Sequence, residues 1–315
     1  MSVFFLVAPI FVLIAVGYVA TRAGYLSEMA QKGIAEFAFN FAMPALLFRS
    51  LAGATATQDG SARVVLAYFG GVSIVWAAAT VATRLLLRRP AVDAPTIAMS
   101  SVFGNIVMIG IPVVLAVLGD KAAGPMAVLL GIHTPLLWFM GTLHQQSVEN
   151  TGDRSPLRIA RDLGRELARN PLLIAIAAGA LWRLTDLGLA AGIDSSLALL
   201  AQAGVPCAQV ALGASLVRFA IKGQLPTLSL VLLGKLVALP VVVYGLAVHV
   251  FALPTAAAQV AIIFAAMPAG ANAFLFAERA KRVVNSASGA VALGTLVGAA
   301  TSTIVIALMA ASLGP

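Results

Sequence analysis

Two stretches of the chain carry residue types that open a helix and leave polar groups facing the gap. The first is Gly104-Asn105-Ile106-Val107-Met108-Ile109-Gly110-Ile111-Pro112, and the second is Met267-Pro268-Ala269-Gly270-Ala271-Asn272. Proline has no N–H and its ring clashes with the preceding turn. Glycine frees the backbone, and asparagine can bond the amides and carbonyls that a break releases. A half-helix starting after a break presents free N–H groups and a partial positive charge. Two such ends meeting would hold a carboxylate without a full positive charge. The candidate contact residues are therefore Asn105, Gly110, Pro112, Pro268, Gly270 and Asn272. For either stretch alone, a proline kink used for packing is an equal reading. The pairing, each with an asparagine, favours a site.

Other polar groups lie inside long apolar runs. Lys235 stands about ten residues into one, too deep for easy snorkelling. An ionised lysine at mid-membrane costs about 2.5–3.5 kcal/mol on insertion scales, so it must pair or face a cavity. It reads as a counter-charge for an anion or for a half-helix C-terminus, or as a structural ion pair. His133, in Gly131-Ile132-His133-Thr134-Pro135, reads as a substrate contact or proton carrier, or as a hydrogen-bonded structural residue. Gln202 and Gln209 suit interhelical hydrogen bonds. Cys207 is the single cysteine and reads as packing. No metal-ligand cluster or cofactor motif is legible.

The elements that position these groups follow from composition. Of 315 residues, 61% are hydrophobic and 10% charged, against about 25% charged in a soluble domain. So few charges cannot solvate a surface of this size, and the solvent for most of the chain is lipid. Cytosolic enzymes and secreted domains are excluded. The net charge of +8 belongs to membrane-flanking loops and not to nucleic-acid binding, because no aromatics interleave with the basic residues.

Apolar runs cover roughly 3–21, 33–51, 63–84, 96–118, 122–145, 171–187, 196–217, 226–250, 257–278 and 286–311. Their lack of polar–apolar alternation makes them helices, not barrel strands. The first run has no basic leader and reads as a span, not a cleaved signal. With the N-terminus outside, the inner loops hold Arg22, Lys32, Arg84, Arg88, Arg89, Arg154, Arg158, Arg161, Arg165, Arg169, Arg218, Lys222, Arg279, Lys281 and Arg282. The outer loops hold only Arg49, Arg63, Lys121 and Arg183. That bias places both termini outside and requires an even number of spans.

A polar linker, residues 146–170, divides the chain into two five-span halves, 1–145 and 171–315. Its Glu149, Asp153, Asp162 and Glu166 interleave with arginines, as in a solvated amphipathic segment. Five is odd, so the second half begins on the opposite side and related halves would form an inverted repeat. Helix-breaking residues recur in the second and fourth span of each half: Met43-Pro44 and Val205-Pro206, then the two stretches above. Inverted repeats with broken helices point to a secondary transporter with its site near the membrane midplane.

The order of these motifs resembles the auxin efflux carrier family. It is carried by Asn105 through Gly110-Ile111-Pro112, by Met267-Pro268 with Asn272, by Met43-Pro44-Ala45-Leu46 and by Asn170-Pro171-Leu172. The short central loop is similar to that of bacterial members, which include malonate and malate permeases. The resemblance implies an all-α membrane fold like that of bile-acid symporters and sodium/proton antiporters. Spans one, two, six and seven would form a scaffold, and spans three to five and eight to ten a transport domain. Helices four and nine would cross at their prolines, with the substrate beside the crossing and the domain moving as an elevator. Asn105 and Asn272 would contact substrate or hold the crossing, and Asn40 would face it from the scaffold. A homodimer through the scaffold is implied as well.

The expected partners are thus a small organic anion and the lipid bilayer of the cell (inner) membrane. Alternatives are a sodium- or proton-coupled cation antiporter of the same fold and an intramembrane hydrolase. The antiporter lacks the mid-span carboxylates it needs. The hydrolase lacks a histidine after the Ser286-Ala287-Ser288-Gly289 stretch.

Overall fold

The computed structural model describes residues 3–53, 61–149, 155–219 and 224–313. Asp153, Arg154 and Lys222, used in the charge arguments above, lie outside them. Lipid offers no partner for an open N–H or C=O, so an apolar chain must satisfy its backbone within each segment. Among the described residues the regular elements are accordingly helical, apart from one isolated bridge.

The elements are α1 (Val3–Arg22), α2 (Glu28–Ala52), α3 (Ser61–Leu85), α4 (Ala94–Val102), α5 (Ile106–Leu118), α6 (Ala123–Glu149), α7 (Pro156–Leu167), α8 (Pro171–Arg183), α9 (Ala191–Leu216), α10 (Leu225–Val250), α11 (Thr255–Ala266), α12 (Ala271–Ala280) and α13 (Val284–Leu313). Seven of these, α1, α2, α3, α6, α9, α10 and α13, are long and apolar enough to cross a membrane, and α5, α8 and α11 are shorter apolar helices. Their outward faces are apolar too: Val19 on α1, Leu199 on α9, Val241 on α10 and Leu308 on α13 are each more than half exposed.

The prolines do not break the helices where the sequence suggests. Three π-helical turns, Ala38–Ala42, Ile106–Gly110 and Gly234–Ala238, each end one residue before a Xaa-Pro pair: Met43-Pro44, Ile111-Pro112 and Leu239-Pro240. A proline ring collides with the carbonyl four residues back. The wider turn moves that carbonyl away, and Met43, Ile111 and Leu239 donate instead to the oxygens of Ala38, Ile106 and Gly234. The helix therefore widens and continues. In α9, Pro206 sits inside an uninterrupted helix. Of the four breaks expected in the second and fourth spans of each half, only those between α4 and α5 and between α11 and α12 open.

Packing sorts the helices into two groups. In one, α1 lies on α9 and α2 lies on α8 and α9. Glycines allow this: a Cβ on Gly17 would run into the Val210 carbonyl, and one on Gly213 into that of Ile14. A Cβ on Gly179 of α8 would lie 2.7 Å from the Phe48 oxygen. Ion pairs join α2 and α9 or its flank at both ends: Arg49 Nε to Asp194 at 2.6 Å, and Arg218 to Glu28 at 3.1 Å. These are exposed and contribute little by themselves. In the other group, α3 packs on α4 and α10, and α11 lies among α10, α13 and α6. Helix α4 is buried along its whole length, as is α11 from Ala257 to Ala266, so the two interrupted helices occupy the centre.

The glycine contacts between α1 and α9 make a prediction. Gly213→Val should force those helices apart and destabilise the protein by the 1–3 kcal/mol or more that overpacking costs, roughly. Gly245→Ala, where nothing lies within 4 Å of the added carbon, should leave thermal unfolding in detergent within a degree or so of wild type, since surface changes stay within about 0.5 kcal/mol.

Candidate functional site

At the centre the chain leaves its helices twice, and the two gaps satisfy each other. Phe103 to Asn105 run antiparallel to Pro268 to Gly270, with a bridge between Gly104 and Ala269. Asn105 N donates to the Pro268 carbonyl at 2.8 Å, and Gly270 N donates to the Phe103 carbonyl at 3.0 Å. Glycine gives the close approach on both strands. A Cβ on Gly270 would lie 3.3 Å from the Asn105 backbone, and one on Gly104 would lie 3.3 Å from both the Lys235 ammonium and the Phe264 carbonyl. The crossing is therefore at Gly104-Asn105 and Pro268-Gly270. The expectation that both helices cross at their prolines is corrected for α5, because the π-helical turn accommodates Pro112 about two turns beyond the gap.

Asn105 caps α5. Its Oδ1 accepts from Met108 N at 3.2 Å, and its backbone oxygen accepts from the Ile109 and Gly110 amides at 3.1 Å each. With Oδ1 committed, the amide Nδ2 is fixed outward. It is buried and has no partner, in a residue only 7% exposed.

Asn105 lines a cavity of about 640 Å³. The volume lies in the range of ligand pockets, about 300–1,000 Å³. Its inner end is formed by Phe103 to Met108, His133, and Gly270 to Asn272, the start of α12. Gly270 makes no side-chain cap there, Ala273 N donates to the Gly270 carbonyl at 3.0 Å, and the first two residues of α12, Ala271 and Asn272, line the cavity. His133 is fully buried, with Nδ1 3.2 Å from the Tyr68 hydroxyl and Nε2 unpartnered. The outer end is lined by Trp138 and Thr142 of α6, Asp162 and Leu167 of α7, Asn170, and Arg279. The Arg279 guanidinium stands 5.8 Å over the Trp138 ring, within cation–π range.

Lys235 lies behind the crossing and does not line the cavity. It is fully buried, and its Nζ donates to the Ala265 carbonyl at 2.7 Å, at the C-terminal end of α11. The last carbonyls of a helix carry partial negative charge, so the ammonium caps that half-helix. Among the described residues no carboxylate pairs with it.

Of the sequence candidates, Asn105, His133, Gly270 and Asn272 come together on the cavity wall. Gly110 is turned to the Phe264 ring, 3.1 Å from where its Cβ would be, and Pro268 packs on Gly298 of α13. Pro112 is buried within α5, and Asn40 is exposed while its neighbour Phe39 lines the cavity. Gln209 of α9 donates across the groups to the Met108 carbonyl, the interhelical bond expected for it. Tyr68, Trp138 and Arg279 were not singled out. The signal for Trp138 was present as a stripe, Thr134, Trp138 and Thr142, at helical spacing on α6.

The cap makes Lys235 testable. Lys235→Met leaves the Ala265 carbonyl buried without a donor, which should destabilise the protein by about 1–3 kcal/mol. Hydrogen exchange at the Asn105 and Gly270 amides should quicken; unchanged protection would show that the ammonium does not hold the crossing.

The membrane transport protein family matches residues 2–306 of the chain. A Rhizobium meliloti (strain 1021) protein named "Putative malonate transporter" is 24% identical over 298 residues, covering 95% of this chain and 93% of that protein. With the match running over nearly its whole length, the chain belongs to the membrane transport protein family, that of the auxin efflux carriers.

Proposed function

We propose that this protein is a secondary carrier of small organic anions, carboxylates such as malonate, malate or auxin-like acids, bound at the crossing of the broken helices. One observation carries the reading. Two buried nitrogens without partners, Asn105 Nδ2 and His133 Nε2, belong to residues that line the cavity together with the start of α12. An unpaired buried donor is expensive, and a carboxylate accepts several donors at once. The Rhizobium relative's name is in keeping with a short dicarboxylate, while the cavity volume admits larger acids as well.

The halves form an inverted repeat of ten spans, with α4–α5 and α11–α12 as matching broken spans. The group α1, α2, α8 and α9 is the scaffold and the site of a homodimer contact. The other group is the transport domain, which moves against it as an elevator. The Gln209 bond to Met108 is then one contact that must break in each cycle. In the inner membrane, with basic loops and linker inside and both termini outside, the mouth at Asp162 and Arg279 faces the cytoplasm.

The test is solid-supported-membrane electrophysiology and radiolabelled uptake on reconstituted protein. The panel runs from malonate, malate and lactate to indole-3-acetate, with and without sodium and across pH. One saturable anion is expected. Asn105→Asp keeps the oxygen that caps α5 and replaces the donor with a repelling oxygen. Losing a hydrogen bond to a charged group is worth about 1.5–3 kcal/mol, so Asn105→Asp and Asn272→Ala should weaken apparent affinity about ten- to hundredfold. Normal uptake by both variants, or a response to a sodium or pH jump alone with no anion carried, would overturn the reading in favour of a cation antiporter.

A further inference from the structure

Among the described residues Tyr68 is the largest side chain buried completely, on α3, with 0% of its surface exposed. Phenylalanine would fill that volume, so the hydroxyl calls for a separate reason. Among the described residues its hydrogen-bond partner is His133 Nδ1, at 3.2 Å. The imidazole is held on its other sides as well. Phe103 meets it edge-on at 4.7 Å between centroids, and Phe69 lies 6.5 Å away. The Gly104 backbone lies within hydrogen-bonding reach of the ring, and the Lys235 ammonium stands beyond Gly104. Tyr68 itself is tilted against the ring at 5.8 Å.

A neutral imidazole has one donor and one acceptor nitrogen. If Nδ1 carried the proton, the Tyr68 oxygen would accept it, and the phenolic O–H would be left buried without an acceptor. If Tyr68 donates to Nδ1, both of its requirements are met and the imidazole proton sits on Nε2. That nitrogen is the unpartnered one, on a residue that lines the cavity as Asn105 does.

We propose that Tyr68 is a positioning residue: its hydroxyl fixes the neutral Nε2–H tautomer and orientation of His133, making His133 the second uncharged donor to the carboxylate of the transported anion. This rests on the carboxylate reading of the cavity. Asn105 has its amide orientation set by the α5 amide, and His133 has its tautomer set by Tyr68. Each donor is thus locked by a bond on the side away from the substrate, the arrangement that makes a site specific for an acceptor-only ligand.

The experiment uses full-length protein in nanodiscs with 15N-labelled histidine. The chain has three histidines, and His133→Gln assigns the His133 signals. Wild type should show an acceptor-type Nδ1 and a protonated Nε2 without added substrate. Tyr68→Phe keeps the ring and removes the hydroxyl, and should give mixed or exchanging tautomers. It should also raise the half-saturating anion concentration about tenfold, the loss of one charge-assisted hydrogen bond, with the maximal rate little changed. A purely structural role would move protein yield or rate instead. In the double variant Tyr68→Phe with His133→Gln, the affinity loss should equal that of His133→Gln alone.

A protonated Nδ1 in wild type, a Tyr68→Phe spectrum unchanged from wild type, or additive losses in the double variant would each overturn the proposal. Wild-type protein that carries no anion would overturn the carboxylate reading instead. The nitrogen spectrum, which needs no substrate, would then still decide whether Tyr68 sets the tautomer.

Discussion

Backbone that leaves a helix in the interior of a membrane protein must find its hydrogen bonds in protein or in a watery cavity. Here two gaps exchange those bonds, Asn105 to Pro268 and Gly270 to Phe103. The exchange demands strands close enough to pair, and glycine at 104 and 270 leaves room for that closeness. Pairing uses only part of the released backbone. The C-terminal carbonyls of α11 are met by Lys235, and the N-terminal amides of α5 by Asn105. The start of α12 has no side-chain cap, and its Ala271 and Asn272 line the cavity. On the proposed reading, the ligand site is the part of the crossing that the protein does not satisfy for itself.

The surroundings follow from protecting this exchange. Burying α4 and α11 on all sides keeps lipid from the open backbone, and Gly294 and Gly298 of α13 let Pro268 pack without a gap on the face away from the cavity. The group containing α1, α2, α8 and α9 meets this centre mainly along one side. There Gln209 reaches the Met108 carbonyl, within the π-helical turn that begins α5. Within each group, contacts are close and built on glycine. Between the groups stands the cavity, walled by Phe39 and Leu47 on one side and by α6 and the crossing on the other.

Much of this was legible from residue types. Apolar runs in a chain with so few charges dictate helices, and Gly with Asn marked the segments that open. The asparagines and His133 were identified as polar groups that lipid could not satisfy. What misled was proline. Its clash with the preceding turn reads as a break, but a π-helical turn relieves the same clash without opening the helix, as at Pro44, Pro112 and Pro240. Tyr68 escaped notice for a different reason. A tyrosine in an apolar run looks like any aromatic, and only its distance to His133, 65 residues away, gives its hydroxyl a purpose. Lys235 was legible as an anomaly, with a half-helix C-terminus among its readings; which helix end it meets, that of α11, depends on the packing of α10 against α11.

The chemistry of the inner end bears on what a carrier needs. A fixed full charge facing an anion in a medium of low dielectric attracts it strongly, and a carrier that binds too tightly does not release. The charge of Lys235 is directed into α11 carbonyls, while the cavity presents an amide nitrogen, an imidazole nitrogen and helix amides. Each is a dipole, strong only at contact and weak at a distance. On the proposed reading, such a wall recognises a carboxylate by geometry and lets it go once water can replace the same hydrogen bonds. On the same reading Arg279, exposed at the mouth with Asp162, meets an anion where water screens its charge. Binding and release then both belong to the inner end, with neutral donors where the ligand is held and charge only where it enters.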